Sequence, residues 1–260
     1  MKKNSLILFT LLVYFFAPCI GWSQNLEDLH VVLENIQNSA KKKSHSPFIV
    51  AIGGCPGVGK STIAHLLQDE LNAIGMSSVI ISLDHYGLSQ NERKQFASEL
   101  DPRRIQWDKI HETFTRICAG EKELSKPIIN QLTKEMSQET LDLANIDCIL
   151  FEGSYTLGDF PPMNFLQYAD VAIYLESSLE NIYAWKWQRE LKKSSPRSPQ
   201  VFFNHMIDIL RDFAFHVYPT RKNADYLVQM DFSHHYRIDH GNKSGPEPDF
   251  TELRLETLAY

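Results

Sequence analysis

Short apolar runs punctuate the chain, and stretches with helical spacing lie between them. Phe48-Ile49-Val50-Ala51-Ile52 is closed by Gly53-Gly54, and Val79-Ile80-Ile81-Ser82-Leu83, Cys148 to Phe151, Val171 to Leu175 and Tyr226-Leu227-Val228 follow in order. Unbroken apolar runs of this length, bounded by turn residues, predict strands buried on both faces. Residues 25–43 place Leu26, Leu29, Val32, Leu33 and Ile36 three or four apart, which predicts a leading helix. Lys41, Lys42 and Lys43 fall in its last turn, where the helix dipole favours cations. Ser44 to Pro47 ends it. A second helix is predicted from about Lys60 to Asn72, with Ile63, Leu66, Leu67 and Leu71 facing inward, and further ones over 107–119, 179–193 and 200–215. Strands alternating with helices predict an α/β domain on a mainly parallel sheet. Tyr226–Val228 reads as the last strand. After Asp231, Gly241, Gly245, Pro246 and Pro248 predict a peripheral tail.

The start of the chain departs from this pattern. Asn4 to Leu26 holds no charge; Lys2 and Lys3 precede an apolar run from Leu6 to Pro18, and small residues stand at Gly21 and Ser23. That arrangement fits a secretory signal peptide or a short membrane anchor over 1–24, with a buried helix of the fold as the alternative. Composition adds less. At 43% hydrophobic and 22% charged, the 260 residues have ordinary globular usage. A net charge of −6 is unlike a non-specific nucleic-acid binder, so no nucleic-acid partner is expected. Four cysteines are too few and too scattered for a disulfide framework or a zinc site.

The chemistry begins where the first strand ends. Gly54-Cys55-Pro56-Gly57-Val58-Gly59-Lys60-Ser61 matches G-x-x-x-x-G-K-[ST], and Thr62 follows. The glycines let the backbone curl until successive N–H groups point at phosphate oxygens; Lys60 reaches the β- and γ-phosphates, and the Ser61 hydroxyl can ligate Mg²⁺. Chance produces this pattern about once in a hundred chains of this length. Here it also follows a predicted strand and opens a predicted helix, the context such a loop needs. The chain therefore reads as a binder of a nucleoside triphosphate.

Two acids sit at strand ends, where the ligand crevice of an open α/β sheet lies. Asp84 follows the second strand and reads either as a carboxylate acting on a substrate hydroxyl or Mg²⁺, or as a turn cap. Glu152 ends the Ile149-Leu150-Phe151 run and stands where a second metal-side carboxylate belongs. The segment Trp185 to Arg197 (WKWQRELKKSSPR) carries Lys186, Arg189, Lys192, Lys193 and Arg197, which reads as a basic lid or as a solvated helix face.

In this order, GGCPGVGKST, SLDHY, ILFEG, the basic segment and Tyr218-Pro219-Thr220-Arg221-Lys222-Asn223-Ala224-Asp225 resemble the phosphoribulokinase/uridine kinase family of P-loop kinases over about residues 46–230. The resemblance implies a P-loop NTPase-type three-layer α/β fold with a helical lid. It implies Asp84 as the carboxylate that deprotonates the acceptor hydroxyl, Lys60 as the phosphate-binding cation, Ser61 and Glu152 at Mg²⁺, and Arg189, Lys192 and Arg197 in the lid. Pro219 and Lys222, in the element resembling P-[ST]-x-K-x-A-D, would lie near the adenine end. Departures concern the acceptor. Uridine kinases carry a Tyr-Asp-Phe-x-x-His-type motif that recognises the pyrimidine, and the corresponding Pro127 to Lys134 has neither its aromatic residue nor its histidine. Arg103-Arg104 is unusual at its place and reads as a binder of an anionic acceptor or as surface charge.

The expected organisation is a signal or anchor over 1–24, a leading helix over 25–45, a P-loop kinase domain over 46–230 and a peripheral tail over 231–260. The expected activity is ATP-dependent phosphorylation of a hydroxyl on a small metabolite of nucleoside, pantothenate-like or sugar type. The alternative is an ATP-binding or ATPase switch, or a degenerate kinase without acceptor phosphorylation. The apolar start points to export or membrane attachment, whereas kinase chemistry requires a compartment that holds ATP.

Overall fold

The computed structural model describes residues 27–43, 47–96, 98, 100–129 and 135–240. The expected signal or anchor, Asn130 to Lys134 and everything after His240 lie outside the described residues. Among the described residues no helix is long and apolar enough to cross a membrane. In chain order the elements are α1 (Glu27–Ala40), β1 (Phe48–Gly54), α2 (Lys60–Ala73), β2 (Ser78–Ser82), α3 (Gln90–Arg93), α4 (Trp107–Cys118) and β3 (Glu123–Ile129). They continue with β4 (Met136–Asp142), β5 (Cys148–Glu152), β6 (Val171–Glu176), α5 (Leu179–Leu191), α6 (Pro199–Asp212), β7 (Tyr226–Met230) and β8 (Tyr236–His240).

The main sheet has the order β2-β5-β1-β6-β7-β8. Its first five strands in that order are parallel, as the apolar runs predict; β1 and β5 are buried at every position. Helices flank it. Leu29, Val32, Leu33 and Ile36 of α1 and Ile63, Leu67 and Leu71 of α2 enter the same core as the strands. Leu67 is wholly buried, so truncating it to Ala would cost about 2–5 kcal/mol.

The structure differs from the sequence pattern at several points. Leu83 leaves β2 and opens a short 3₁₀ turn, Leu83–Tyr86. The lysines expected in the last turn of α1 lie beyond it, and Lys43 is drawn off to Asp170 at 2.5 Å and to the Pro47 carbonyl at 3.1 Å. Tyr226–Val228 is not the last strand, because β8 pairs antiparallel with β7 and extends the sheet past residue 230. An antiparallel hairpin of β3 and β4 stands apart from the main sheet. Its second strand is exposed except at Leu141, so it lacks the apolar run that marks a buried strand.

Candidate active site

The site is assembled at the carboxyl ends of the parallel strands. β1 runs straight into the glycine-rich loop, and α2 begins at Lys60, so the helix N-terminus presents its free N–H groups to the loop. Gly57 and Gly59 bend the loop at φ +90° and +95°. Lys60 is buried and its ammonium donates to the carbonyls of Gly54 (3.2 Å) and Cys55 (3.0 Å). Burial pushes its pKa down, opposed by the charge of Glu152. Cys55 is buried as well, and burial pushes its thiol up to about 12, so it fills space and stays protonated.

Asp84 and Glu152 come from neighbouring strands. In the β2–β5 ladder Ser82 stands opposite Glu152, and the Ser82 hydroxyl donates to Glu152 Oε1 at 2.5 Å. The same hydroxyl accepts from the Asp84 N–H at 3.3 Å and caps the turn. Ser82, not Asp84, is therefore the cap, and the Asp84 side chain is exposed.

A cavity of about 330 Å³ gathers Lys60, Ser61, Thr62, Asp84 and Glu152, together with Lys186 and Arg189 of α5. Ser178 caps α5, accepting from the Asn181 N–H at 3.2 Å. Ile182, Lys186 and Arg189 are four and three apart, so one helix face anchors in the core and delivers two cations to the loop. The Lys186 stem lies against Gly57. Lys192 is exposed at the end of α5 and does not line the cavity. Arg197 is held by Glu190: its N–H donates to Oε1 at 3.0 Å and its Nη1 to Oε2 at 3.4 Å. Glu190 is buried and also takes Lys193 at 2.6 Å, so this trio shapes the turn between α5 and α6.

Pro219 and Lys222 lie in the 3₁₀ turn that leads into β7, and both are exposed. Lys222 faces Asp159 at 3.6 Å, and Arg221 beside it holds Glu176 at 2.5 and 3.0 Å. Neither Pro219 nor Lys222 lines the cavity. The end of β7 lies closer: the Met230 methyl sits against Gly59, and the Trp185 ring stacks on His234 at 4.8 Å and on Phe232 at 6.4 Å in the loop that follows. No sequence pattern marks this aromatic ledge, and Lys186 stands out in the sequence only as one cation of the basic segment. His235, next to His234, pairs with Asp231 at 3.0 Å.

A second cavity, of about 340 Å³, shares Asp84, Leu100 and Ser154 with the first, so Asp84 stands where the two meet. A larger one of about 470 Å³ lies at the amino ends of β1 and β5, between Lys41, Ile74, Gly120 and Asp147, and contains none of these groups. Ligands of open α/β sheets sit at the opposite, carboxyl ends of the strands. Among the described residues no group of three His, Cys, Asp or Glu side chains could hold a metal. Hard oxygen donors from Ser61 and Glu152 beside a phosphate loop suit Mg²⁺, which takes few protein ligands and several phosphate or water oxygens.

Comparison with known proteins bears on the chain as a whole. The family described as "Phosphoribulokinase / Uridine kinase family" matches residues 49–233. A uridine kinase of Ureaplasma urealyticum is 27% identical over 198 residues, spanning 74% of this chain and 92% of its own. A pantothenate kinase of Corynebacterium diphtheriae is 24% identical over 226 residues, spanning 75% of this chain and 71% of its own. The solved D-glycerate 3-kinase of Cryptococcus neoformans superposes with a TM-score of 0.61 at 13% identity, covering 84% of this chain and 99% of that one, and shows a shared fold.

Proposed function

Because the chain belongs to the phosphoribulokinase / uridine kinase family, we propose that its Asp84 is the base of an ATP-dependent phosphoryl transfer to an acceptor held in the second cavity. The chain is a kinase that transfers the γ-phosphate of ATP to a hydroxyl of a small metabolite. The observation that carries the assignment of roles is the position of Asp84 at the junction of the phosphate cavity and its neighbour.

The loop N–H groups and the start of α2 cradle the phosphates. Lys60 exchanges its two carbonyl partners for β- and γ-phosphate oxygens. Ser61 and Glu152 would hold Mg²⁺, with Ser82 orienting the carboxylate, and the ion supplies neutralisation of phosphate charge. Asp84 accepts the proton of the acceptor hydroxyl as its oxygen bonds to the γ-phosphorus. The bond from that phosphorus to the bridging oxygen breaks, and ADP leaves with the electron pair. Lys186 and Arg189 stabilise the charge spread over the transferring group. In this reading Lys192 and Arg197 border the lid without touching substrate.

The test is ADP formation by the full chain with Mg²⁺ against a panel of hydroxylated metabolites. ADP release that depends on one acceptor, with the phosphorylated acceptor recovered, is the expected result. ADP release independent of every acceptor would replace the kinase with an ATPase.

A further inference from the structure

The second cavity has a charge pattern that the phosphoryl transfer does not use. Arg93 and Arg104 both line it, among apolar walls from Leu83, Leu100, Ile105 and Ile129. Arg103, its neighbour in sequence, does not: it is exposed and holds Asp101 through Nε at 2.9 Å and Nη2 at 2.5 Å. That pairing also satisfies Asp101, the carboxylate on this wall besides Asp84.

Arg104 is tied through the backbone to the turn that carries Asp84. Gly87 and Ile105 form an antiparallel bridge, the Leu88 N–H donates to the Arg104 carbonyl at 2.7 Å, and the Gln106 N–H donates to the Tyr86 carbonyl at 2.8 Å. The strip that begins at Asp84 and the strip that carries Arg104 are thus hydrogen-bonded into one short ribbon. Arg93 is held to the same ribbon, with Nε on the Leu88 carbonyl at 2.5 Å and its guanidinium packed over Gly87, where a Cβ would collide with Nη2.

The Arg104 side chain is half-buried, its Nη1 donates to the Ser98 carbonyl at 2.6 Å, and its buried Nε makes no hydrogen bond. Among the described residues no carboxylate forms an ion pair with it. A carbonyl accepts a hydrogen bond without neutralising the charge, and a guanidinium withdrawn from water in that state favours an anion. We propose that Arg104, with Arg93 beside it, binds an anionic group of the acceptor, a carboxylate or a phosphate, while Asp84 receives the proton of its hydroxyl. The acceptor is then a small hydroxylated anion and not a neutral nucleoside. This rests on the assignment of Asp84 to the acceptor side.

The experiment is calorimetric binding to the full chain saturated with a non-hydrolysable ATP analogue and Mg²⁺. Ribose 5-phosphate, D-glycerate and pantothenate serve as anionic probes, with ribose and uridine as neutral ones. At least one anionic probe is expected to bind, and to bind about 10–100-fold more tightly than its neutral counterpart. Arg104→Gln is expected to erase that difference while binding of the ATP analogue stays within twofold. Arg104→Lys keeps the charge and restores part of it. The comparison of ribose 5-phosphate with ribose needs no variant, so a misfolded variant does not hide the result. Tighter binding of uridine than of every anionic probe, no binding by any anionic probe, or an anion preference that survives Arg104→Gln overturns the proposal. Because the readout is binding, anion-dependent affinity without ADP release would count against the kinase assignment and leave the Arg104 assignment standing.

Discussion

Asp84→Asn separates chemistry from binding with little disturbance to the fold. The substitution is isosteric, the side chain is exposed, and the local turn is held by the Asp84 N–H on Ser82 Oγ at 3.3 Å, which asparagine retains. Among the described residues the carboxylate itself makes no hydrogen bond, so nothing buried is left unpaired. Stability should stay within about 0.5 kcal/mol of the parent. The rate should not. An amide cannot accept the hydroxyl proton, and loss of a general base costs about 10²–10⁴-fold. That range corresponds to about 3–5 kcal/mol of barrier. The assay is coupled ADP release at saturating acceptor, paired with calorimetric ATP binding and a urea titration of both proteins. The expected outcome is a collapsed acceptor-dependent kcat with ATP affinity and unfolding midpoint preserved. A variant that keeps more than about a tenth of the parental rate, outside the range for a lost base, refutes the assignment. One that loses ATP affinity in step with rate would move Asp84 to the nucleotide.

Other predictions follow from the same geometry. Gly54→Ala puts a Cβ onto the Leu175 carbonyl of β6 at a φ of +132°, so it should lose about 2–4 kcal/mol in denaturant unfolding and lose ATP binding; a change under about 0.5 kcal/mol contradicts the contact. Lys186→Ala and Arg189→Ala should each lower kcat by about 10–1,000-fold in the ADP assay, whereas Lys192→Ala should leave it within about twofold; equal losses at all three would return the lid to the wider basic segment. The buried Cys55 and Cys148 should resist a thiol reagent at pH 8 while the exposed Cys118 reacts, as mass spectrometry of the labelled peptides would report. Burial pushes both buried thiols from their ordinary value near 9.0 up to about 12, so above about pH 9 the unfolded chain binds fewer protons than the folded one. Stability should therefore fall with rising pH through that window, by up to about 1.4 kcal/mol per unit for each thiol, and an alkaline urea series that stays flat would count against their burial.

The parallel part of the sheet was legible because strands buried on both faces have no alternative to continuous apolar sequence, as in Cys148–Glu152. β8 and the β3–β4 hairpin were not. Tyr236 is buried and Arg237 exposed, a two-residue alternation too short to stand out, and β4 is a polar strand whose pairing is set by its partner. The same division runs through the site. Lys60, Ser61, Asp84 and Glu152 follow from strand ends and one loop, so chain order alone brings them together. Which cations of the basic segment face the loop depends on helix phase. Arg189 shares a face with the core residue Ile182, while Lys192 falls past the helix end and Arg197 is captured by Glu190. The element around Pro219 and Lys222 was visible as a motif, but its neighbours Asp159 and Glu176 are distant in sequence. Of the adjacent Arg103 and Arg104, only the second lines the cavity, a distinction set by the Asp101 side chain.

The resting bonds of Lys60 to its own loop bear on turnover. A lysine already stripped of water and docked on two carbonyls needs little reorganisation to meet phosphate, since each hydrogen bond lost is replaced by a charge-assisted one. On the roles proposed above the loop is preorganised for a polyphosphate, and ADP would keep the β-phosphate that Lys60 and the loop amides would hold. Product leaves against much of the hold of this cradle, so ADP should compete with ATP for the loop. The rate should then fall as the ADP-to-ATP ratio rises, with ADP competitive against ATP; inhibition that more ATP does not relieve would place ADP elsewhere than this loop.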